Sequence, residues 1–123
     1  MTRKILIADD EQNILISLEF LMKREGYEVI VAQDGEEAVH KIRSERPDLV
    51  LLDVMMPRKS GFEVCQEVKA DAELAQVRIL MLTAKGRDTE VAKGLALGAD
   101  AYMTKPFSTR ELVEKVRSML DGA

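Results

Sequence analysis

Three aspartates stand where two short apolar runs end. Asp9 and Asp10 close Lys4-Ile-Leu-Ile-Ala8, and Asp53 closes Asp48-Leu-Val-Leu-Leu52. If both runs are parallel strands of one sheet, three carboxylates converge on a single edge. Like charges about 4 Å apart repel by roughly 4 kcal/mol per pair at an effective dielectric of ~20, so such a cluster needs a cation to sustain it. Carboxylate oxygens with room for water select a hard ion, and Mg²⁺ commonly takes one or two protein carboxylates together with phosphate oxygens. The chemistry indicated is phosphoryl chemistry at a divalent-metal site. Lys105 adds a positive point charge to the same edge, suited to developing phosphoryl charge and able to pair with Asp53 before reaction.

Each of these residues also has a plainer reading. Asp10 stands where a helix starts and could be its N-cap, Asp53 could be a polar strand terminus, and Lys105 a solvated loop lysine. Thr83 ends a buried strand, where it serves equally as a β-branched residue or as a hydroxyl donor to a phosphoryl oxygen. Coincidence favours the chemical reading: one cap needs one side chain, and a second adjacent acid adds repulsion that capping does not repay. Pro106 further restricts the backbone after Lys105.

The elements that must position these groups follow from the hydrophobic period. Strand-length apolar runs at about residues 4 to 8, 27 to 31, 48 to 53, 77 to 82 and 99 to 103 alternate with helical stretches at about 12 to 25, 35 to 45, 60 to 71, 87 to 97 and 108 to 120. In the first helix Ile14, Leu18, Leu21 and Met22 share a side and Gly26 is the stop. The second carries Ala38, Val39 and Ile42 and ends before Pro47, and Gly98 stops the fourth. Gly94 weakens the fourth helix by up to about 1 kcal/mol relative to Ala, which makes it the softer helix. In the fifth, Leu112, Val113, Val116 and Leu120 point inward. The third and fourth strands are nearly continuous in apolar residues, as expected when helices cover both faces of a parallel sheet. The pattern is an α/β (βα)5 doubly wound fold, with ligand chemistry at the carboxyl edge where the strand order reverses beside strand one.

Bulk properties narrow the class. The chain has 123 residues, 46% hydrophobic and 33% charged, sized for a single domain over 1–123. No apolar window reaches the ~18 to 20 residues of a membrane span, and the N-terminus runs into the first strand without a signal-peptide core. A net charge of -4 argues against direct nucleic-acid binding, and the lone Cys65 suggests a reducing cytoplasm. Cys65, among Phe62, Val64 and Val68, is expected to be a half-buried thiol, and His40 a solvated helix residue.

Ala8-Asp-Asp10, Asp53-Val-Met-Met-Pro57 with Gly61, Thr83-Ala84 and Gly98-Ala-Asp-Ala-Tyr-Met-Thr-Lys-Pro-Phe107 together resemble the receiver domain of two-component response regulators, across essentially the whole chain. The resemblance implies a five-stranded, flavodoxin-like sheet of order 2-1-3-4-5. It implies that Asp53 is the phosphoacceptor for a phosphohistidine of a sensor histidine kinase or phosphotransfer protein. Asp10, Asp53 and the backbone carbonyl of Met55 would bind Mg²⁺, or Mn²⁺ in its place, with Asp9 acting through water. Thr83 and Lys105 would hold phosphoryl oxygens, and the Lys105-Pro106 bond would be cis. Thr83 and Tyr102 would form the switch, changing the face of helix four, strand five and helix five toward an unknown output protein or a missing effector domain.

Two flanking positions, Met55 and Lys85, carry neither carboxylate nor amide to orient a hydrolytic water, so a long-lived phosphorylated state is expected. The Met55-Lys85 pairing and the tail to Leu112 look like receivers attached to winged-helix domains. Those usually bear an acid before the switch aromatic, where this chain has Ala101. That departure weakens the expectation of a phosphorylation-dependent homodimer through this face, although Lys93, Asp100, Glu111 and Arg117 offer other pairs. The end at Ala123 without a linker favours a stand-alone switch, although an excised receiver would read the same way. A dehalogenase-type phosphohydrolase would place a second Asp at position 55, and a nucleotide or flavin module a glycine-rich loop after strand one. The competing reading is a receiver-fold interaction module regulated without phosphate.

Overall fold

The computed structural model describes residues 2–84 and 88–121. In chain order the elements are β1 (Lys4–Ala8), α1 (Gln12–Arg24), β2 (Glu28–Ala32), α2 (Gly35–Glu45), β3 (Leu49–Asp53), α3 (Gly61–Ala70), a single 3-10 turn (Ala72–Leu74), β4 (Arg78–Ala84), α4 (Asp88–Ala96), β5 (Ala101–Lys105) and α5 (Thr109–Leu120). The strands are parallel in the order β2-β1-β3-β4-β5, so the sheet reverses direction of growth at β1. This is the doubly wound, flavodoxin-like order, with its switch point between β1 and β3.

Alternation along each strand feeds two cores. Leu6, Ala8, Val50, Leu52, Ile79 and Met81 face α2 and α3, where Ala38, Val39, Ile42, Val64, Cys65 and Val68 meet them. Ile5, Ile7, Leu49, Leu51, Leu80 and Leu82 face α1 and α5, against Leu15, Leu18, Leu21, Met22, Leu112, Val116 and Leu120. Both faces of β3 are therefore dry, which is why its sequence is continuously apolar.

Capping matches local chemistry. Asp34 accepts from the Glu37 N–H and Ser108 from the Glu111 N–H, while Ser60 and Glu63 form a reciprocal capping box at α3. Among the helices, α4 has Gly94 as its only buried residue. A Cβ at Gly94 would stand 3.4 Å from the Met81 side chain and 3.8 Å from Phe62. The glycine lets α4 lie close over β4 but leaves it without a large apolar anchor. Among the described residues no helix is long and apolar enough to cross a membrane.

Some details differ from the sequence pattern. In α1, Leu15 is buried and Ile14 only half-buried. The fifth strand lies at Ala101–Lys105, two residues later than the apolar run suggests, because the chain is still closing α4 there: the Ala99 N–H donates to the Gly94 carbonyl. Cys65 is fully buried rather than half-buried, and burial pushes its thiol pKa up. Val113 is half-buried, and His40 is exposed.

Candidate functional site at the carboxyl edge

Asp9 leaves β1 fully buried, Asp53 ends β3 at 8% exposure, and Asp10 is exposed beside them. One oxygen from each of these three carboxylates lies within 4.8 Å of the others. Asp10 does not cap α1: the N-cap is Glu11, without a side-chain cap bond, and the Oδ1 of Asp9 accepts the Glu11 N–H at 2.9 Å. That bond turns Asp9 inward and leaves Asp10 free to face the cluster from the solvent side.

Lys105 is the last residue of β5, not a loop residue, and so its backbone is fixed by the ladder with Ala84. Its Nζ donates to Asp9 Oδ2 at 3.0 Å and to Asp53 Oδ1 at 3.4 Å. Three carboxylates against one ammonium leave two uncompensated negative charges, and the crowding registers on Asp53. Desolvation and the neighbouring Asp9 charge push its pKa up to about 6, although Lys105 pulls the other way. Burial opposes the charge on Lys105, but Asp53 and Asp9 outweigh it and raise the ammonium above its ordinary range. An all-oxygen donor set with two negative charges to spare fits a hard divalent cation and not a soft or nitrogen-seeking one.

Thr83 stands in β4 one step beyond Leu82, the residue in register with Asp53. Its hydroxyl is buried and has no hydrogen-bond partner, a condition that costs about 1–3 kcal/mol in a folded protein. An unpaired donor beside a site for anionic oxygens is what a phosphoryl ligand would satisfy. Tyr102 in β5 is 45% exposed. It lines a groove of about 720 Å³ between α4 and α5, with Leu95, Met103, Glu111 and Lys115. This groove is larger than the cleft of about 300 Å³ over Asp53, and its lining acids, Asp100 and Glu111, are not among the clustered carboxylates of Asp9, Asp10 and Asp53.

The cleft itself, of about 300 Å³, is lined by Asp10, Glu11, Asp53, Val54, Met55, Leu82, Ala84, Glu90 and Lys105. Met55 stands at its rim, 69% exposed. Glu11 and Glu90 carry no mark in the sequence pattern. Glu11 is hidden beside the aspartate pair, and Glu90 reaches the cleft from the first turn of α4. Lys85 lies outside the described residues. The Lys105-Pro106 bond is cis.

Two glycines shape the loop after Asp53. A Cβ on Gly61 would stand 2.3 Å from the Asp53 carbonyl oxygen, and one on Gly35 would stand 2.1 Å from that of Lys59. Both glycines also hold the loop by hydrogen bonds, Gly61 N–H to the Val54 carbonyl at 2.9 Å and Gly35 N–H to that of Pro57 at 3.3 Å. Gly35 escapes a sequence reading because its clash is with a residue 24 positions away.

The description "Response regulator receiver domain" is that of the family model matching residues 5–117. The chain belongs to this family. Solved structures agree with the assignment. A putative response regulator from Chloroflexus aurantiacus is 36% identical, with a TM-score of 0.93 over 98% of this chain and 99% of that one. The Vibrio cholerae chemotaxis protein CheY4 is 32% identical, with a TM-score of 0.91 over 98% and 100%. The receiver domain of a signal transduction histidine kinase from Syntrophus aciditrophicus is 30% identical, with a TM-score of 0.92 over 99% and 92%. Membership in the receiver family implies phosphorylation-dependent signalling.

The pairs suggested for a dimer of this receiver domain are largely committed within the chain. Asp100 binds Lys69 at 2.8 Å, Arg117 reaches Glu25 at 3.3 Å, and the Lys93 ammonium sits 4.6 Å from the Phe62 ring centre. With Ala101 in place of an acid, only Glu111 of the four keeps its side chain outside a described pairing.

Proposed function

We propose that this receiver domain is a switch phosphorylated on Asp53 by a histidine kinase or phosphotransfer protein, and that its α4-β5-α5 face addresses an output partner. The observation that carries the reading is the coincidence at Asp53: a nearly buried carboxylate, crowded by two others and held by Lys105. A carboxylate oxygen of Asp53 attacks the phosphorus in line, the bond to the donor nitrogen breaks, and the donor imidazole leaves with a solvent proton. Most of the rate then comes from positioning and charge neutralisation. Mg²⁺, or Mn²⁺ in its place, would be held by Asp10, Asp53 and the Met55 backbone carbonyl, with Asp9 through water, and would neutralise charge on the phosphoryl oxygens.

Lys105 relinquishes Asp53 and pairs with a phosphoryl oxygen while keeping Asp9 as its second partner. Thr83 gives its unpaired hydroxyl to another. The gain of that bond draws Thr83 toward the phosphoryl group and opens room for Tyr102 to turn inward, biasing an existing two-state equilibrium. Helix α4, in which Gly94 is the only buried residue among those described, yields most easily. Met55 at the rim supplies no group to activate water, and neither does Lys85, so the phosphorylated state outlives that of fast-cycling receivers.

Intact mass after incubation with acetyl phosphate and Mg²⁺ tests the reading. A single phosphoryl adduct is expected, lost in Asp53→Asn and under chelation. No adduct on folded wild-type protein would favour an interaction module regulated without phosphate.

A further inference from the structure

Six of the seven methionines fall within the described residues, and they differ sharply in access. Met22 and Met81 are buried, Met56, Met103 and Met119 are half-buried, and Met55 is 69% exposed. Met55 is also the methionine whose side chain lines the cleft with Asp53, Asp10 and Lys105. Thioether oxidation follows access, so among the described methionines the sulfur first reached by an oxidant is the one beside the proposed phosphoryl site. We propose that Met55 is a peroxide-sensitive modification site whose oxidation shortens the life of the phosphorylated state. The inference rests on Asp53 being the acceptor.

The chemistry balances with a hydroperoxide as oxidant. A lone pair of the Met55 sulfur attacks the peroxide oxygen, the O–O bond breaks and an S–O bond forms. With hydrogen peroxide the second oxygen departs as water. Sulfur loses two electrons and the peroxide gains them. An apolar, weakly accepting side chain thereby becomes a polar sulfoxide.

At the rim of a cleft of about 300 Å³, the new oxygen can accept a hydrogen bond from a water poised over the phosphorus. That water attacks phosphorus, the P–O bond to Asp53 breaks, and inorganic phosphate leaves with the Asp53 carboxylate restored. The water's proton, held toward the sulfoxide during attack, ends on phosphate or in solvent. The unmodified thioether offers no comparable acceptor, so peroxide converts a slow timer into a faster one.

The test follows decay of the phosphoryl adduct by intact mass after removal of acetyl phosphate, with and without prior hydrogen peroxide, and peptide mapping locates the added oxygen. Oxygen should appear at Met55 ahead of the other described methionines. Decay should quicken roughly tenfold, less than the ~10²-fold of an ionisable base because a sulfoxide is the weaker proton acceptor. Methionine sulfoxide reductase should restore the slower rate.

Met55→Leu, compared with itself before and after peroxide, should show no change. Met55→Gln, which places an amide oxygen at the rim, should decay faster than Met55→Leu without any oxidant. Unchanged decay in the oxidised wild type, or equal acceleration in Met55→Leu, would overturn the proposal. Failure of the reduced wild type to form any adduct would instead overturn the acceptor reading, while the peptide map would still show whether Met55 is oxidised first.

Discussion

The two edges of the sheet treat their acids in opposite ways. At the amino edge two carboxylates are matched: Asp48 accepts the Lys4 N–H at 2.7 Å, and Asp100 accepts both the Ile79 N–H and the Lys69 ammonium at 2.8 Å. At the carboxyl edge three carboxylates cluster about one lysine that pairs with two of them, Asp9 and Asp53, and the Thr83 hydroxyl has no partner. The same strands run through both edges, so strand chemistry does not account for the difference. Stability is collected where polar groups are satisfied, and reactivity is held where they are not.

The contrast can be pressed hardest at Asp53. Its pKa is about 6 in the fold against 3.8 as the ordinary value, so its charge is disfavoured by folding. The penalty is absent below about pH 4, grows between about 4 and 6, and is complete above that. In metal-free buffer Asp53→Asn should therefore be more stable than wild type at pH 7 by on the order of 1 to 2 kcal/mol, with no advantage at acid pH. Urea titrations across pH would show it. Added Mg²⁺ should stabilise the wild type and leave the variant almost unmoved. An advantage constant with pH would mean that the carboxyl edge carries no charge strain.

Asp100→Ala probes the opposite edge. It strands the N–H of fully buried Ile79, and the expected loss is about 2 kcal/mol, the usual cost of an unsatisfied buried donor. Adduct formation at Asp53 should be retained. If phosphorylation fell in step with stability, the two edges would not be separable. Thr83→Val is the mildest change. It removes an unpartnered hydroxyl while keeping the branched shape, and should raise the thermal midpoint of the unphosphorylated protein by the equivalent of about 1 kcal/mol. A loss of stability would show that the hydroxyl is satisfied after all.

The sequence made much of this legible, for physical reasons. Continuous apolar runs at β3 and β4 reveal a sheet covered on both faces, and Gly26 and Gly98, at φ 94° and 106°, mark helix ends that other residues adopt poorly. Asp9, Asp10 and Asp53 announce themselves because acids at strand ends are costly. Long-range facts are not legible. That Lys105 leans on Asp9 more closely than on Asp53 depends on a contact across 96 positions. The orphaned Thr83 hydroxyl depends on what fails to approach it, and Glu90 reaches the cleft only through the placement of α4. The displaced start of β5 reflects hydrogen bonds that prolong the end of α4, which no apolar run encodes.

Gly61 has a mechanical consequence. With less than 3 Å between its missing Cβ and the backbone of Asp53 and Val54, the start of α3 is butted against Asp53 without slack. On the other flank, a Cβ on Gly94 would meet only side-chain atoms at ordinary contact distance, Met81 at 3.4 Å and the Phe62 ring at 3.8 Å. One side of the site is tightly packed and the other has room, so the change proposed at Asp53 would meet more resistance at α3 than at α4.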